Sequence, residues 1–454
     1  MNGYKKYSKK YAIEANNIVY KDKMFSETEI SILKENGVEK ESKYLKIVNE
    51  TTKQEAENKN DERMVTLKQF QEKITNKEFC ENGYNKAYIL EDINLGTKWN
   101  EDGTLISGEA WSPITVIPTG TILDGCNQKI EGIYINKDQN QAFIRENYGK
   151  IKNIIIGKNC YFKTQVGKLS SLLVFNKKGA IVENCVNNAD VISEKEGELL
   201  FFVSGLILSN SSKVLNCKNY GNVYANKYYG NGYFLGGICS YIESDESEII
   251  GCTNYGNVLG YNRSDGYLVG GIVGGIYSTR IPSFGKIIRC INYGNVESGY
   301  ASGIISTNSG NGEIYDCVNY GKISANNRSS GIIETLGSSG KMVNCYNLGD
   351  IYSRTSTYGK PYGGLVVENK GNISSSYNVG KCYLGNNYKG CQIYFENEGN
   401  IENTYFLNQT LDDGTVITSE FMKSEDFLKM LGEEYAKSKL SKNNGYPMLL
   451  WQKN

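Results

Sequence analysis

The most versatile catalytic side chain is missing: none of the 454 residues is histidine. Imidazole as general base, triad member or metal ligand is excluded, and with it the usual serine-hydrolase, zinc-hydrolase and histidine-phosphotransfer mechanisms. Of the twelve cysteines, Cys185, Cys217, Cys252, Cys290, Cys317 and Cys345 recur 27 to 38 residues apart at one register. Such spacing is unlike the C-x-x-C of a zinc site, and it predicts an inward column of small apolar side chains, mostly free thiols. Stacked side chains pointing the same way do not favour the dihedral a disulfide needs. Carboxylates are then the groups left for hydrolysis or lyase chemistry. Asp316 and Asp350 come from neighbouring repeats at different registers, while Glu243, Asp245, Glu246 and Glu248 share one loop that reads as a solvated acidic turn. No catalytic residue, cofactor or metal site is expected.

Binding residues are easier to nominate. Tyr220, Tyr255, Tyr293 and Tyr320 recur at one register beside Asn219, Asn254, Asn292 and Asn319, a series that Asn347 and Asn378 continue. An Asn before Tyr-Gly can bond its own turn and the next repeat, so the asparagines read as turn architecture. The tyrosines read as an outward strip, suited to sugar rings or a protein partner. The longest inter-repeat segments, near 224–235 and 259–286, add further Tyr and Gly and the basic residue Arg263. Insertions on one face of a repeat protein are where binding usually lives.

The elements that position these residues follow from composition and repetition. Fifty Lys and Arg balance fifty Asp and Glu, which provides no bulk field to draw the chain onto nucleic acid. Apolar residues make up 39% and charged residues 22%, with 50 Gly, 35 Tyr and only 5 Pro, a balance that suits many short strands joined by polar turns. The longest apolar runs, such as LLFFV at 199–203, are far short of the roughly 20 residues that span a bilayer. The N-terminus MNGYKKYSKKYAIEA is basic without an apolar stretch behind it, so an extracellular destination requires an export segment outside this sequence.

VLNCKNYGNV (214–223), IIGCTNYGNV (249–258), IIRCINYGNV (287–296), IYDCVNYGKI (314–323) and MVNCYNLGDI (342–351) are copies of one unit. A GGI-like segment follows several of them, as at Gly236-Gly237-Ile238 and Gly270-Gly271-Ile272, and an N-x-G-x-I element closes others, as at Asn147 and Asn369. A unit of about 28 residues with three short alternating segments is too small to stand alone and must stack on its neighbours. That predicts an all-β fold, a right-handed parallel β-helix of about ten coils over 114–410, with coils about 4.8 Å apart. Leucine-rich repeats lack support because L-x-x-L-x-L is absent, kelch propellers need a period near 50, and calcium-binding rolls need G-G-x-G-x-D.

The NYGNV and GGI units resemble the GLUG-motif repeats of bacterial surface and secreted proteins, including β-helical regions that accompany some immunoglobulin-A-cleaving proteases. The lead-in YILEDINLG (88–96), WSPI (111–114) and a G-T-x-x-D-G segment at 120–125, and the ending NNGYPMLLW (443–451), add to the likeness. The resemblance covers 88–454 and implies a β-helix. It implies no protease activity, because H-E-x-x-H requires histidine.

Both ends of a β-helix need covering. Residues 63–113 are expected to form an N-terminal cap, with Thr66 and Gln69 as a capping box before a helix whose Leu67, Phe70 and Ile74 share one face. Residues 411–454 are expected to form a helical C-terminal lid, opened by Ser424 and presenting Phe427, Leu428, Leu431 and Tyr435. Residues 1–62 read as a helical segment followed by a polar linker at 50–62, and GYKKYSKKYAIEANNIVY is similar to the soluble continuation of a type IV pilin-like helix. The function expected is that of a non-catalytic extracellular or cell-surface adhesin whose partner is a glycan or a host or bacterial surface protein. A polysaccharide lyase or hydrolase on the same fold, and a pilus-associated structural subunit, are the alternatives.

Overall fold

The computed structural model describes residues 43–453 except 137–140, 165–167, 195–200, 226–232, 261–266, 277–283, 308–309, 355–361, 385–386, 389–391 and 413–414, together with Val19–Tyr20 and Lys23–Met24. Residues 3–18 of the pilin-like stretch 3–20 and the second short helix expected before Gly37 lie outside the described residues, while Val19–Tyr20, at the end of that stretch, pairs antiparallel with Lys23–Met24 instead of continuing a helix.

The chain is a parallel β-helix. The coil starting at Lys213 runs through five short strands, Lys213–Leu215, Lys218–Asn219, Val223–Ala225, Tyr233–Gly236 and Cys239–Ile242, before the next begins at Glu248–Ile250. Each strand lies parallel to its counterpart one coil on, so that Val214 pairs with Ile249, Asn219 with Asn254, Val223 with Val258, Leu235 with Val269 and Cys239 with Val273. Among the described residues the strands form sheets of 13, 11, 15, six and three; the sheet of 15 holds two of the five columns, which merge in the longer strands Val296–Ser302 and Ile323–Ser330, and the sheets of six and three continue one another. The sequence pattern predicts three segments per coil. Five are found because two corners fall inside stretches that read as single segments.

One of those corners is a single residue in the left-handed region. Asn153, Asn184, Asn216, Gly251, Arg289, Asp316 and Asn344 hold it in successive coils, with φ between 52° and 67°. Asn and Gly suit that conformation, and Arg does not. The other corner is the GGI unit. A Cβ on Gly271 would lie 2.2 Å from the Gly303 carbonyl oxygen and 2.3 Å from Asn292 Cγ, so only glycine fits. The glycine of NYGNV is required for a similar reason: a Cβ on Gly256 would lie 1.9 Å from the carbonyl oxygen of Gly221.

The inward residues form one continuous core. Val214, Cys217, Val223, Leu235, Ile238 and Cys239 fill one coil, Ile249, Cys252, Val258, Val269, Ile272 and Val273 the next, and all are fully buried. Each such aliphatic side chain contributes about 1.5–3 kcal/mol by leaving water. The cysteine column is inward as expected. Among the described residues ten thiols are free, while Cys382 is disulfide-bonded.

At the N-terminal end the capping box of Thr66 and Gln69 forms, and Leu67, Phe70 and Ile74 of the helix Leu67–Thr75 join the core. Residues 50–62 depart from the expected linker. They carry the helix Glu50–Glu57, whose Asn49 cap accepts from Thr52 N, and Lys43–Val48 before it extends the sheet of 13 by pairing with Tyr84–Ile89 and Met64–Thr66.

The C-terminal segment also departs from expectation in its placement. Ser424 caps the helix Glu425–Leu431 as foreseen, but Tyr435 belongs to an antiparallel pair with Leu449. The segment does not close the end of the rod. Its Ile417, Met422, Phe427, Leu431, Tyr435 and Leu449 pack sideways on Ile291, Val318, Tyr346 and Tyr377, the outward residues of the asparagine ladder in four successive coils. The physical reason is that these coils carry apolar side chains outward, whereas the final rung, Asn400–Glu402, is polar and largely exposed.

Candidate functional site

The tyrosine strip is set by the corner after each ladder asparagine. Asn254 is fully buried, donates from Nδ2 to the Gly256 carbonyl at 2.7 Å and to Asn292 Oδ1 at 2.9 Å, and accepts from Asn219 Nδ2 at 2.9 Å. The same two bonds repeat from Asn187 through Asn347. With the asparagine held inward, the next residue must point outward, and in four coils it is tyrosine.

Tyr220, Tyr255 and Tyr293 are 46%, 42% and 42% exposed. Their rings stack at 4.5 and 5.0 Å with interplanar angles of 1° and 7°, and Tyr293 stacks on Tyr320 at 4.8 Å. The ring faces inside the stack are therefore turned on one another, and the strip offers its ring edges and a row of hydroxyls. Burial raises the Tyr293 hydroxyl to about 12, helped by Tyr320 and Tyr255, so it stays a protonated donor throughout the ordinary pH range. Tyr320 is only partly exposed. It lies under the C-terminal segment, where its hydroxyl is 2.8 Å from that of Tyr346 and 3.4 Å from Gln452 Nε2. Arg263 lies outside the described residues.

The carboxylates singled out by sequence do not converge. Asp316 sits at a left-handed corner, tied to Asn344 Nδ2 at 3.0 Å and to Arg289 Nε at 3.4 Å, whereas Asp350 accepts the backbone N–H of Lys381 at 2.9 Å. In the acidic loop, Glu246 pairs with Lys178 at 2.6 Å and Glu248 with Lys213 at 3.0 Å.

A charged corner that sequence reasoning missed does converge. Arg328 Nη1 lies 2.6 Å from Glu368 Oε1 and 3.6 Å from Glu334 Oε1, and Ser306 Oγ donates to Glu334 Oε2 at 3.4 Å. Three coils supply these groups. Glu334 is 2% exposed, and burial raises its carboxyl to about 7, against the opposing pull of Arg328 and Ser306 and with a further push from Glu368. Two carboxylates with unlike environments beside one guanidinium are the ingredients of acid and base chemistry. The burial of Glu334 restricts what can reach it. The only forewarning was a glutamate where the preceding coils carry Ser240, Gly274 and Ser306.

Among the described residues, no group of three or more Cys, Asp or Glu is placed to hold a metal ion, and no helix is long and apolar enough to cross a membrane. No protein-family model matches the chain, and no curated protein matches it. It is similar to the crystal structure of a "putative immunoglobulin A1 protease" from Bacteroides ovatus, at 14% identity over 81% of this chain and 86% of that one, with a TM-score of 0.40.

Proposed function

We propose that this chain is a bacterial surface or secreted β-helix of the GLUG-repeat kind that binds a glycan or a surface protein along its side without transforming it. The observation that supports this is the exposed row of Tyr220, Tyr255 and Tyr293, rigidly spaced by the buried asparagine ladder beneath it. Rings already ordered in the free protein give up little side-chain entropy on binding. The test is retention of immobilised host and bacterial polysaccharides and surface proteins by the purified chain. Retention should fall when Tyr255 and Tyr293 are replaced together by Ala. Equal retention by the double variant would remove the strip as the binding face.

The charged corner favours a second reading, a polysaccharide-active enzyme in which Glu334 gives a proton and Glu368, steadied by Arg328, takes one. Shortening of a polysaccharide by the chain, abolished in Glu334→Gln, is the observation that would establish it.

A further inference from the structure

The tyrosine strip continues into an interface that is already occupied. Tyr293 stacks directly on Tyr320, and from Tyr320 onward the face is covered by this chain's own C-terminal residues. Tyr320 is the member of the strip that the segment touches, whereas Tyr346 and Tyr377 precede their ladder asparagines, and Leu348 and Val379 stand at the strip's register in those two coils. The Gln452 carboxamide reaches two tyrosine hydroxyls, accepting from Tyr346 at 2.7 Å and lying 3.4 Å from Tyr320, while its Oε1 also accepts Leu449 N–H at 3.0 Å. Backbone groups are read as well: Tyr377 donates to the Pro447 carbonyl, and Tyr435 of the segment donates to Ser375 O at 2.8 Å. Leu449 and Tyr446 fill the apolar spaces between.

Sugars recognised by aromatic residues need a free ring face, and here the faces between neighbouring tyrosines are spent on stacking. Ring edges and hydroxyls suit a polypeptide whose carbonyl and carboxamide groups can accept from a hydroxyl or donate to it, as Gln452 donates to Tyr320.

We infer that the exposed strip Tyr220–Tyr255–Tyr293 docks a polypeptide segment of a partner protein, one bearing a Gln or Asn carboxamide and apolar side chains, on the face that continues from the seat of the C-terminal segment at Tyr320. This deepens the proposed function and rests on the strip being the binding face.

The probe is a labelled synthetic peptide with the sequence of residues 443–452, NNGYPMLLWQ, added to the full chain and followed by fluorescence anisotropy. Binding is expected to weaken about tenfold in the double variant Tyr255→Phe, Tyr293→Phe, which keeps the rings and removes two donors. It is also expected to weaken in a peptide whose Gln is replaced by Leu, and to persist in Tyr377→Phe. Loss in Tyr377→Phe with no effect of the strip variants would mean that the peptide displaces the chain's own C-terminus, and would overturn the inference. Retention of polysaccharide that depends on Tyr255 and Tyr293, with no strip-dependent peptide binding, would overturn it while leaving the proposed function intact. Strip-independent behaviour toward both ligands would end both.

Discussion

Asn292 and Gly271 meet across a corner of the coil: the Asn292 carboxamide carbon lies 2.3 Å from where a Cβ on Gly271 would stand. The two repeat units that looked independent in sequence, NYGNV and GGI, are therefore two sides of one contact between successive coils. Gly237 meets Asn254, and Gly303 meets Asn319, in the same way. This coupling keeps the asparagines inward and so holds the tyrosines outward.

Replacing Asn254 by Ala is expected to destabilise the chain by about 2–4 kcal/mol, because the Gly256 carbonyl, Asn292 Oδ1 and Asn219 Nδ2 all lose a buried partner. Calorimetric melting of the variant checks this. A transition temperature equal to that of the parent would mean that the ladder does not hold the coils.

Arg289 occupies, at φ 53°, a left-handed corner that other coils give to Asn. Arg289→Asn is expected to raise stability by about 1 kcal/mol, since the backbone strain is relieved and the contact given up is a long one from a half-exposed guanidinium to Asp316, which keeps its bond from Asn344. Denaturant unfolding would register this as a higher midpoint at unchanged slope.

The repeat, its period, the inward cysteines and the asparagine turn were legible in sequence because one residue type recurs at one register. The left-handed corner was not, since its residue varies among Asn, Gly, Arg and Asp from coil to coil and no one type marks the register. The sideways seat of the C-terminal segment left a signal that went unread: the residue between Cys and Asn changes from Lys218 and Thr253 to Ile291, Val318 and Tyr346 where the cover begins. Arg328, Glu334 and Glu368 could not be joined by spacing, because Arg328 and Glu334 lie on two strands of one coil that meet across the corner at Gly331-Ile332, and only the stacking of coils adds Glu368.

The Glu334 carboxyl keeps its proton to about pH 7 in the folded chain, whereas an ordinary glutamate loses it near 4.5. Between these values the folded state holds the extra proton, so stability falls as pH rises through that window. Glu334→Gln should flatten that slope and make the protein more stable at pH 8 by up to about 3 kcal/mol. Urea unfolding at pH 5 and pH 8 for both proteins checks the sign. An unchanged slope in the variant would show that Glu334 is ionised in the fold.

Cys80 is exposed, whereas Cys185 through Cys345 are enclosed in the core and burial raises the Cys160 thiol to about 12. Reaction with a thiol reagent should be fast at one described site in the native chain and should reach most cysteines after denaturation. Mostly disulfides on denaturing titration would contradict the free column.

The most direct test of binding without turnover is to follow retention and chain length together in one polysaccharide and surface-protein panel, using the parent, the Tyr255→Ala, Tyr293→Ala variant and Glu334→Gln. The account predicts that every retained ligand is recovered intact, that retention is lost in the tyrosine variant, and that Glu334→Gln behaves like the parent. Shortening that disappears in Glu334→Gln would contradict it and make the charged corner the working part of the molecule.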